Sequence, residues 1–573
     1  MIDQAPRLAG HPQIESGADW LFGPGRSARV RRILLLILTP AIVLVVTLQF
    51  DFVFDDNLVV LGDPLVVQQF DARRIFGSEV RVADVALGYY RPLITLLYLT
   101  DRALWGVNPA GYHFSNLLWH LLATVLVYRL ARRTIAGVAA ALAGGMLFAV
   151  LPAHTEAVGW IQGRVDLVST VFLLLALLAL VRARDEHRYQ SWLWTTLGGC
   201  TFLAALLAKE SAIVFPLAWA MWELSAVDKA RWRECLPAMI TRFAAMALAL
   251  LVYCGLRRWA VGASFSYFST SLSPVPLRTL ALPLVLAEYG RVLLFPDLTL
   301  NFFRTVRVAL SPTALAIGLV VVVVLGGGLL AVWRRARRLF PWAAWVPIML
   351  VPPLFFILQA QAPAIGFFIA ERFLYLPSVG WCILLGYVLA AALEGRKRAA
   401  WSPWGMAAFG GVILLYAGLT LIRLRPWVDA PELYTAIQAQ TNVPTAVRVL
   451  AHNNLGEVLL ERGDLSAAWR EFQAARGLDP DYAFAYNNLG VLLIREGRPT
   501  EALRWIETAI RLDPAYSEAY GNLGAAYEAI GDLPAAKQAY ERGLRINPGS
   551  AFLAGGLARQ RATSPVPPSE TPR

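Results

Sequence analysis

Charge is scarce in this sequence. Only 16% of its 573 residues are Asp, Glu, Lys or Arg, whereas a water-soluble domain of average make-up carries about one quarter. That shortage excludes an ordinary soluble globule for most of the chain. Cysteine is scarce too: Cys200, Cys235, Cys254 and Cys382 all fall in or beside hydrophobic segments and show no paired CxxC spacing, which excludes a disulfide framework and a cysteine zinc site. Lysine is rarer than arginine by a wide margin, 4 against 48. This is the bias of a GC-rich genome and points to a bacterial source.

In place of charge the chain has apolar length. Hydrophobic residues make up 57% of it, the mean hydropathy is +0.52, and several runs reach the ~20 residues that cross a ~30 Å hydrocarbon core. The net charge of +12 comes in short clusters between those runs: Arg29, Arg31 and Arg32; Arg129, Arg132 and Arg133; Arg182, Arg184 and Arg188; Lys229, Arg231 and Arg233; Arg334, Arg335, Arg337 and Arg338; Arg396, Lys397 and Arg398. Under the positive-inside rule these are cytoplasmic loops, so the charge reports orientation and not nucleic acid.

Residues 1–32 read as a cytoplasmic N-terminal arm. The first apolar run, Ile33 to Phe50, is too long for a signal-peptide core and is followed by no cleavage site. Further spans are expected near 112–130, 135–152, 165–182, 190–208, 210–226, 237–256, 311–333, 341–359, 369–392 and 402–422, which makes about eleven. Leu280 to Pro296 is interrupted by Glu288 and Arg291 and reads as an amphipathic or re-entrant piece. An odd number of crossings puts the C-terminus outside.

From Arg423 the pattern changes. Asn453-Asn454-Leu455-Gly456, Asn487-Asn488-Leu489-Gly490 and Gly521-Asn522-Leu523-Gly524 recur at 34 residues, as do Asp479-Pro480, Asp513-Pro514 and Asn547-Pro548. A 34-residue helix–turn–helix with Leu-Gly in its first helix and Pro at its end is the tetratricopeptide signature. The expected fold is therefore all-α: a polytopic membrane helix bundle (33–422), a connecting or capping helix (423–445), an α-solenoid of three extracytoplasmic tetratricopeptide repeats (446–550) and a disordered tail (551–573). Asn454, Asn488 and Asn522 share one face, where carboxamides can hydrogen-bond an extended peptide; asparagine also recurs at this repeat position for local reasons.

Ionisable groups beside apolar spans are costly unless paired or set in a wet cavity. The densest case is Asp51-Phe52-Val53-Phe54-Asp55-Asp56-Asn57, whose carboxylates can act as a general base, as sugar-hydroxyl acceptors or as metal ligands, or can simply cap a helix exit. A loop of some forty residues follows and ends in Tyr89-Tyr90-Arg91-Pro92, suited to a phosphate or sugar, or to interfacial anchoring. His154, Glu156, Arg164 and Asp166 crowd one outer turn; Lys209-Glu210 and Glu371-Arg372 sit at others. Cations Arg91, Arg164, Lys209 and Arg372 on one side of the membrane suit a lipid-linked phosphate, while self-satisfied ion pairs are the plainer alternative.

The ordered set Phe54-Asp55-Asp56, Tyr90-Arg91-Pro92-Leu93, Tyr112-His113-Phe114-Ser115-Asn116, His120, Pro152-x-His154-Thr155-Glu156-Ala157, Gly163-Arg164-x-Asp166, Lys209-Glu210 and Ala370-Glu371-Arg372-x-Leu374-Tyr375-Leu376-Pro377-Ser378 resembles the transmembrane and tetratricopeptide repeat-containing O-mannosyltransferases. The likeness runs from about residue 33 to 550. It implies a glycosyltransferase of the C-type fold that takes a mannose-like hexose from a polyprenyl-phosphate carrier, with Asp55 or Asp56 as catalytic base. Arg91, His154, Glu156, Arg164, Asp166, Lys209, Glu371 and Arg372 are then candidates for the donor phosphate and sugar. Asp56, His154 and Glu156 could also hold a divalent metal, and the residues point to no other cofactor. The acceptor is expected to be an exported protein or peptide met by the repeats, at a bacterial inner membrane with its lipid as surroundings and no nucleic acid involved. Transfer to a glycan or lipid, or a non-catalytic repeat scaffold, are the competing readings.

Overall fold

The computed structural model describes residues 21–67, 70–82, 85–86, 88–135, 137–186, 188–226, 232–262, 282–297, 304–306, 312–359, 367–393, 401–440 and 443–563. Most of the expected N-terminal arm, Lys229, Arg231, the Arg396 to Arg398 cluster and the tail from Ser564 lie outside them. The chain divides into two compact units, with the main boundary between Trp427 and Val428.

The first unit is a helix bundle. Each of the eleven expected apolar stretches carries a helix, but their lengths differ. Among the described residues seven helices are long and apolar enough to cross a membrane: Arg26–Gln49, Pro109–Thr134, Ile161–Asp185, Tyr189–Ala208, Arg233–Val261, Leu315–Arg335 and Pro403–Trp427. Val138–Ala149 and Pro152–Gly159 form a pair bent by 46°, an eighth if taken as one span. The expected spans 210–226, 341–359 and 369–392 are helices Phe215–Ala226, Phe340–Gln359, with Pro347, Pro352 and Pro353 inside it, and Ser378–Leu393. Among the described residues, length and composition alone support seven or eight crossings, against the eleven expected. Leu282–Leu294 is a 13-residue helix, too short to span.

Starts are set by local chemistry. Asn108 caps Pro109–Thr134 by accepting the Ala110 N–H at 3.1 Å, and Ser402 caps Pro403–Leu424 from Gly405, each with proline in the first helical position, where its missing N–H costs nothing. Helices Val138–Ala149 and Ser378–Leu393 cross at Gly144 and Gly386, where a Cβ on Gly386 would lie 2.4 Å from the Gly144 nitrogen. The long loop after the first span is structured: a turn at Asn57–Leu61, short helices Pro64–Val67 and Ala72–Phe76, and a small ribbon pairing Arg81–Val82 with Val85–Ala86. Phe52, Val60 and Val66 from this loop pack with Ile94, Tyr98, Tyr112, Ile161 and Val165. That cluster seats the loop on the helices that carry the polar residues.

The second unit is a stack of helix pairs: Thr445–Glu461 with Leu465–Leu478, Ala483–Arg495 with Pro499–Leu512, and Ser517–Ile530 with Leu533–Ile546. Glycine at each crossing is needed for close approach. A Cβ on Gly456, Gly490 or Gly524 would fall 2.5, 2.4 and 2.6 Å from Phe472, Ile506 and Tyr540. Ala430–Gln438 packs before the first pair, capped by Asp429. The expected disorder from 551 is corrected in part: Ala551–Thr563 is a helix whose Leu553 joins the apolar cluster of Ala536 and Tyr540, because the last repeat otherwise leaves that face uncovered.

Candidate active site

The first span ends in a turn at Val45–Gln49, and the chain then runs through the acidic segment. Phe54 has φ +57°, the one positive value for a non-glycine among the described residues. Strain of that kind persists only where the surroundings enforce it. Asp56 supplies the enforcement. Its Oδ2 accepts the Val53 N–H at 3.1 Å and its Oδ1 accepts the Gln162 N–H at 3.2 Å, so one carboxylate pins the acidic segment to the turn at Ile161–Gly163. Asp56 is fully buried, and burial together with the neighbouring Asp55 charge raises its pKa well above the ordinary range.

Asp55 is different. It is half-buried, and its Oδ1 has no hydrogen-bond partner. Burial raises its pKa to about 6, against the opposing pull of its own backbone N–H, the Arg372 cation and the Gln162 carboxamide. The adjacent acids therefore separate by environment: Asp56 is a buried clamp, while Asp55 titrates near neutrality and keeps an oxygen unspent.

Every expected cation is ion-paired, but not equally buried. Arg91 makes a bidentate pair with Glu210, at 3.1 and 2.7 Å. Lys209 Nζ lies 2.5 Å from Asp166. Arg372 pairs with Glu156, which also accepts the Arg372 backbone N–H at 3.0 Å. These three cationic side chains remain 18%, 12% and 16% exposed. They lie close together: the Phe373 ring is 5.3 Å from Lys209 Nζ and 5.0 Å from Arg372 Cζ, and Lys209 feels the charges of both Arg91 and Arg372.

Arg164 and Glu371 land elsewhere. The Arg164 side chain has no exposed surface; it pairs with Asp101, and donates to Asn116 Oδ1 and the Tyr112 carbonyl, each at 2.8 Å. Glu371 pairs with the equally buried Arg423. The expectation that Arg164 and Glu371 meet the donor is corrected: both are locked inside. His154 is corrected likewise. It is 3% exposed, and its Nε2 is 2.8 Å from Ser378 Oγ, in a ring cluster with Phe148, His120 and Tyr375. His154 faces Ser378 while Glu156 faces Arg372, so a histidine two residues from a glutamate does not share its target.

The three residues expected to hold a metal are each engaged elsewhere. Asp56 spends its oxygens on backbone N–H groups, Glu156 on Arg372 and His154 on Ser378. Among the described residues no three His, Cys, Asp or Glu side chains converge as a metal site.

Sequence reasoning missed Glu210 as a partner, and Asp101, Asn116, Trp160, Gln162 and Arg423 as site neighbours. Asn116 and Glu210 do stand within the motifs, but nothing local tells which cation they face.

In the repeats Asn488 is buried, while Asn454 and Asn522 are half-buried. Asn488 Nδ2 donates to Asn453 Oδ1 at 3.0 Å and to Glu457 Oε1 at 2.7 Å; Asn522 donates to Asn487 at 2.9 Å, and Asn454 to the Tyr434 hydroxyl at 3.2 Å. Of the expected peptide ladder, Asn488 spends both donors on the preceding repeat, while Asn522 spends one on the preceding repeat and Asn454 one on helix Ala430–Gln438.

Comparison with known proteins matches residues 92–259 to a family model described as dolichyl-phosphate-mannose-protein mannosyltransferase, and residues 481–548 to a tetratricopeptide repeat model. A protein O-mannosyl-transferase of Caenorhabditis elegans is 27% identical over 482 residues, covering 80% of this chain and 64% of that one. One of Drosophila melanogaster is 29% identical over 529 residues, covering 77% and 60%. The chain thus spans less than two thirds of the length of these relatives. A crystal structure of ArnT from Cupriavidus metallidurans bound to undecaprenyl phosphate aligns with 94% of this chain and 89% of that one, at 14% identity and a TM-score of 0.41. With a segment similar to mannosyltransferases and repeats in that order, and relatives matched over more than three quarters of its length, the chain resembles the transmembrane and tetratricopeptide repeat-containing O-mannosyltransferases.

Proposed function

We propose that this chain transfers a mannose-like hexose from a polyprenyl-phosphate carrier to Ser or Thr hydroxyls of exported proteins at the outer face of a bacterial inner membrane. The carrier class is supported by the family description, which names dolichyl-phosphate-mannose. Placement at the outer face is supported by the helices themselves: Pro109–Thr134 and Arg164–Asp185 begin beside the site and end in Arg132 and Arg133, and in Arg182 and Arg184. The repeats, on this reading, recruit the acceptor.

One observation carries the reaction. A half-buried carboxylate with a pKa of about 6 lies in the same cluster as three partly exposed cations. Asp55 takes the proton of the acceptor hydroxyl as its oxygen bonds to the anomeric carbon. The bond from that carbon to the phosphate oxygen breaks, and polyprenyl phosphate leaves against Arg91, Lys209 and Arg372. Glu210, Asp166 and Glu156 hold those cations in place before the donor arrives. Asp56 fixes the segment and takes no proton.

The test is transfer from polyprenyl-phosphate mannose to an exported acceptor by the full chain in membranes. Asp55→Asn is expected to lower the rate by ~10²–10⁴-fold, the usual weight of a general base, without loss of accumulated protein. Asp56→Asn is expected to lower both protein level and rate. A fully active Asp55→Asn enzyme contradicts the assignment.

A further inference from the structure

Gln162 stands where the motifs single out only its neighbours. It occupies the 3₁₀ turn Ile161–Gly163, between the bent segment Thr155–Gly159 and helix Arg164–Asp185. Three sets of contacts meet there. The Gln162 N–H donates to Asp56 Oδ1, the carboxylate that pins the strained backbone ahead of Asp55. The carbonyls just before it, of Trp160 and Ile161, both accept from Asn116 Nδ2 at 3.1 and 3.2 Å, and Asn116 is itself held by Arg164. The Trp160 ring lies 5.2 Å from Arg372 Cζ and 5.9 Å from the Phe54 ring. The turn is thus fixed from below by the Arg164–Asn116 pair and joined from above to both the acid and the cation of the site.

Several buried polar atoms in this arrangement have no hydrogen-bond partner, among them the Trp160 Nε1 and Gln162 Nε2 donors and the acceptor Asp55 Oδ1. Buried donors and acceptors left unpaired in a native fold call for a functional explanation, and here the donor of Gln162 and the acceptor of Asp55 belong to the two segments that the Asp56–Gln162 contact joins. The Gln162 carboxamide is near enough to favour the charged form of Asp55, opposing the effect of burial, without closing a hydrogen bond to it in this structure.

We propose that Gln162 is a positioning residue of the reaction centre, whose carboxamide N–H orients the Asp55 carboxylate toward the acceptor hydroxyl while its main chain fixes Asp55 through Asp56. The inference rests on Asp55 as the base. Arg164 and Asn116 then act at one further remove, by setting the turn. Their presence in the motifs is explained without contact with the donor.

The test uses the full chain in membranes with polyprenyl-phosphate mannose, comparing Gln162→Ala, the near-isosteric Gln162→Glu and Asp55→Asn. Gln162→Ala is expected to lower kcat by ~10–100-fold, the range for partners that orient a reacting group, with the donor KM changed by less than about threefold. Its acid limb should move to higher pH, because the amide no longer favours the carboxylate. Gln162→Glu places a like charge beside Asp55 and should move the limb further still. An unchanged kcat with an unchanged limb overturns the proposal, and so does a fall in kcat with the limb in place, since a merely structural defect would not move it. If Asp55→Asn stays active, the base assignment itself fails. If Asp55→Asn is inactive while the Gln162 variants behave as wild type, only the role of Gln162 fails.

Discussion

The two units solve the same problem, placing polar groups inside a helical protein, in opposite ways. In the bundle the decisive pairs join residues far apart in sequence: Arg91 with Glu210 across 119 positions, Arg372 with Glu156 across 216. In the repeats the pairs are near and periodic, with Asn488 reaching Asn453 and Asn522 reaching Asn487, each across 35 positions. A long-range pair ties together elements that fold separately, and breaking one leaves a buried charge exposed to its full desolvation cost. A periodic pair repeats one local solution, and each copy carries a small share. Stability in the bundle should therefore be concentrated in few side chains, and in the repeats spread over many.

Thermal unfolding of the full chain in detergent can break that comparison if the units melt as separate transitions. The largest effect is expected from Arg164→Ala, which strands Asp101 and releases Asn116; loss of one partner of a buried pair costs about 3–5 kcal/mol, and only the bundle transition should fall. Gly490→Val comes next. Its side chain must enter space already held by Ile506 and the Ala502 carbonyl, at a cost of about 1–3 kcal/mol, confined to the repeat transition. If either variant moves both transitions together, the units are not energetically independent and the contrast is lost.

Much of this architecture can be read from the sequence, and the reasons for the exceptions are physical. The repeats are legible because their contacts recur at the period of the sequence, down to the glycines at the crossings. The membrane stretches are legible as apolar runs, but run length does not decide crossing: Phe215–Ala226 and Ser378–Leu393 are apolar and too short. The acidic segment is legible as unusual, whereas the division of labour between Asp55 and Asp56 depends on which oxygen meets the Gln162 N–H, a contact spanning 106 positions. His154 and Arg164 stand out in sequence for their charge and burial cost, yet both turn out to be internal supports. The asparagine series is visible as a ladder, but which way its carboxamides point depends on the neighbouring repeat.

A raised carboxyl pKa also has a sign that can be checked. The folded state holds the Asp55 proton more tightly than the unfolded chain does, so the carboxyl costs stability as pH rises through about 6. Asp55→Asn removes that cost and should be at least as stable as wild type at neutral pH while being inactive. The central claim is that this one carboxylate, ionised, takes the acceptor proton. It is tested most directly by the initial rate of mannose transfer from polyprenyl-phosphate mannose by the full chain in membranes, followed over roughly pH 4 to 8. The rate is expected to fall on the acid side with a midpoint near 6 and to be level above it; a rate that holds down to about pH 4, the range of an ordinary carboxylate, would contradict the account.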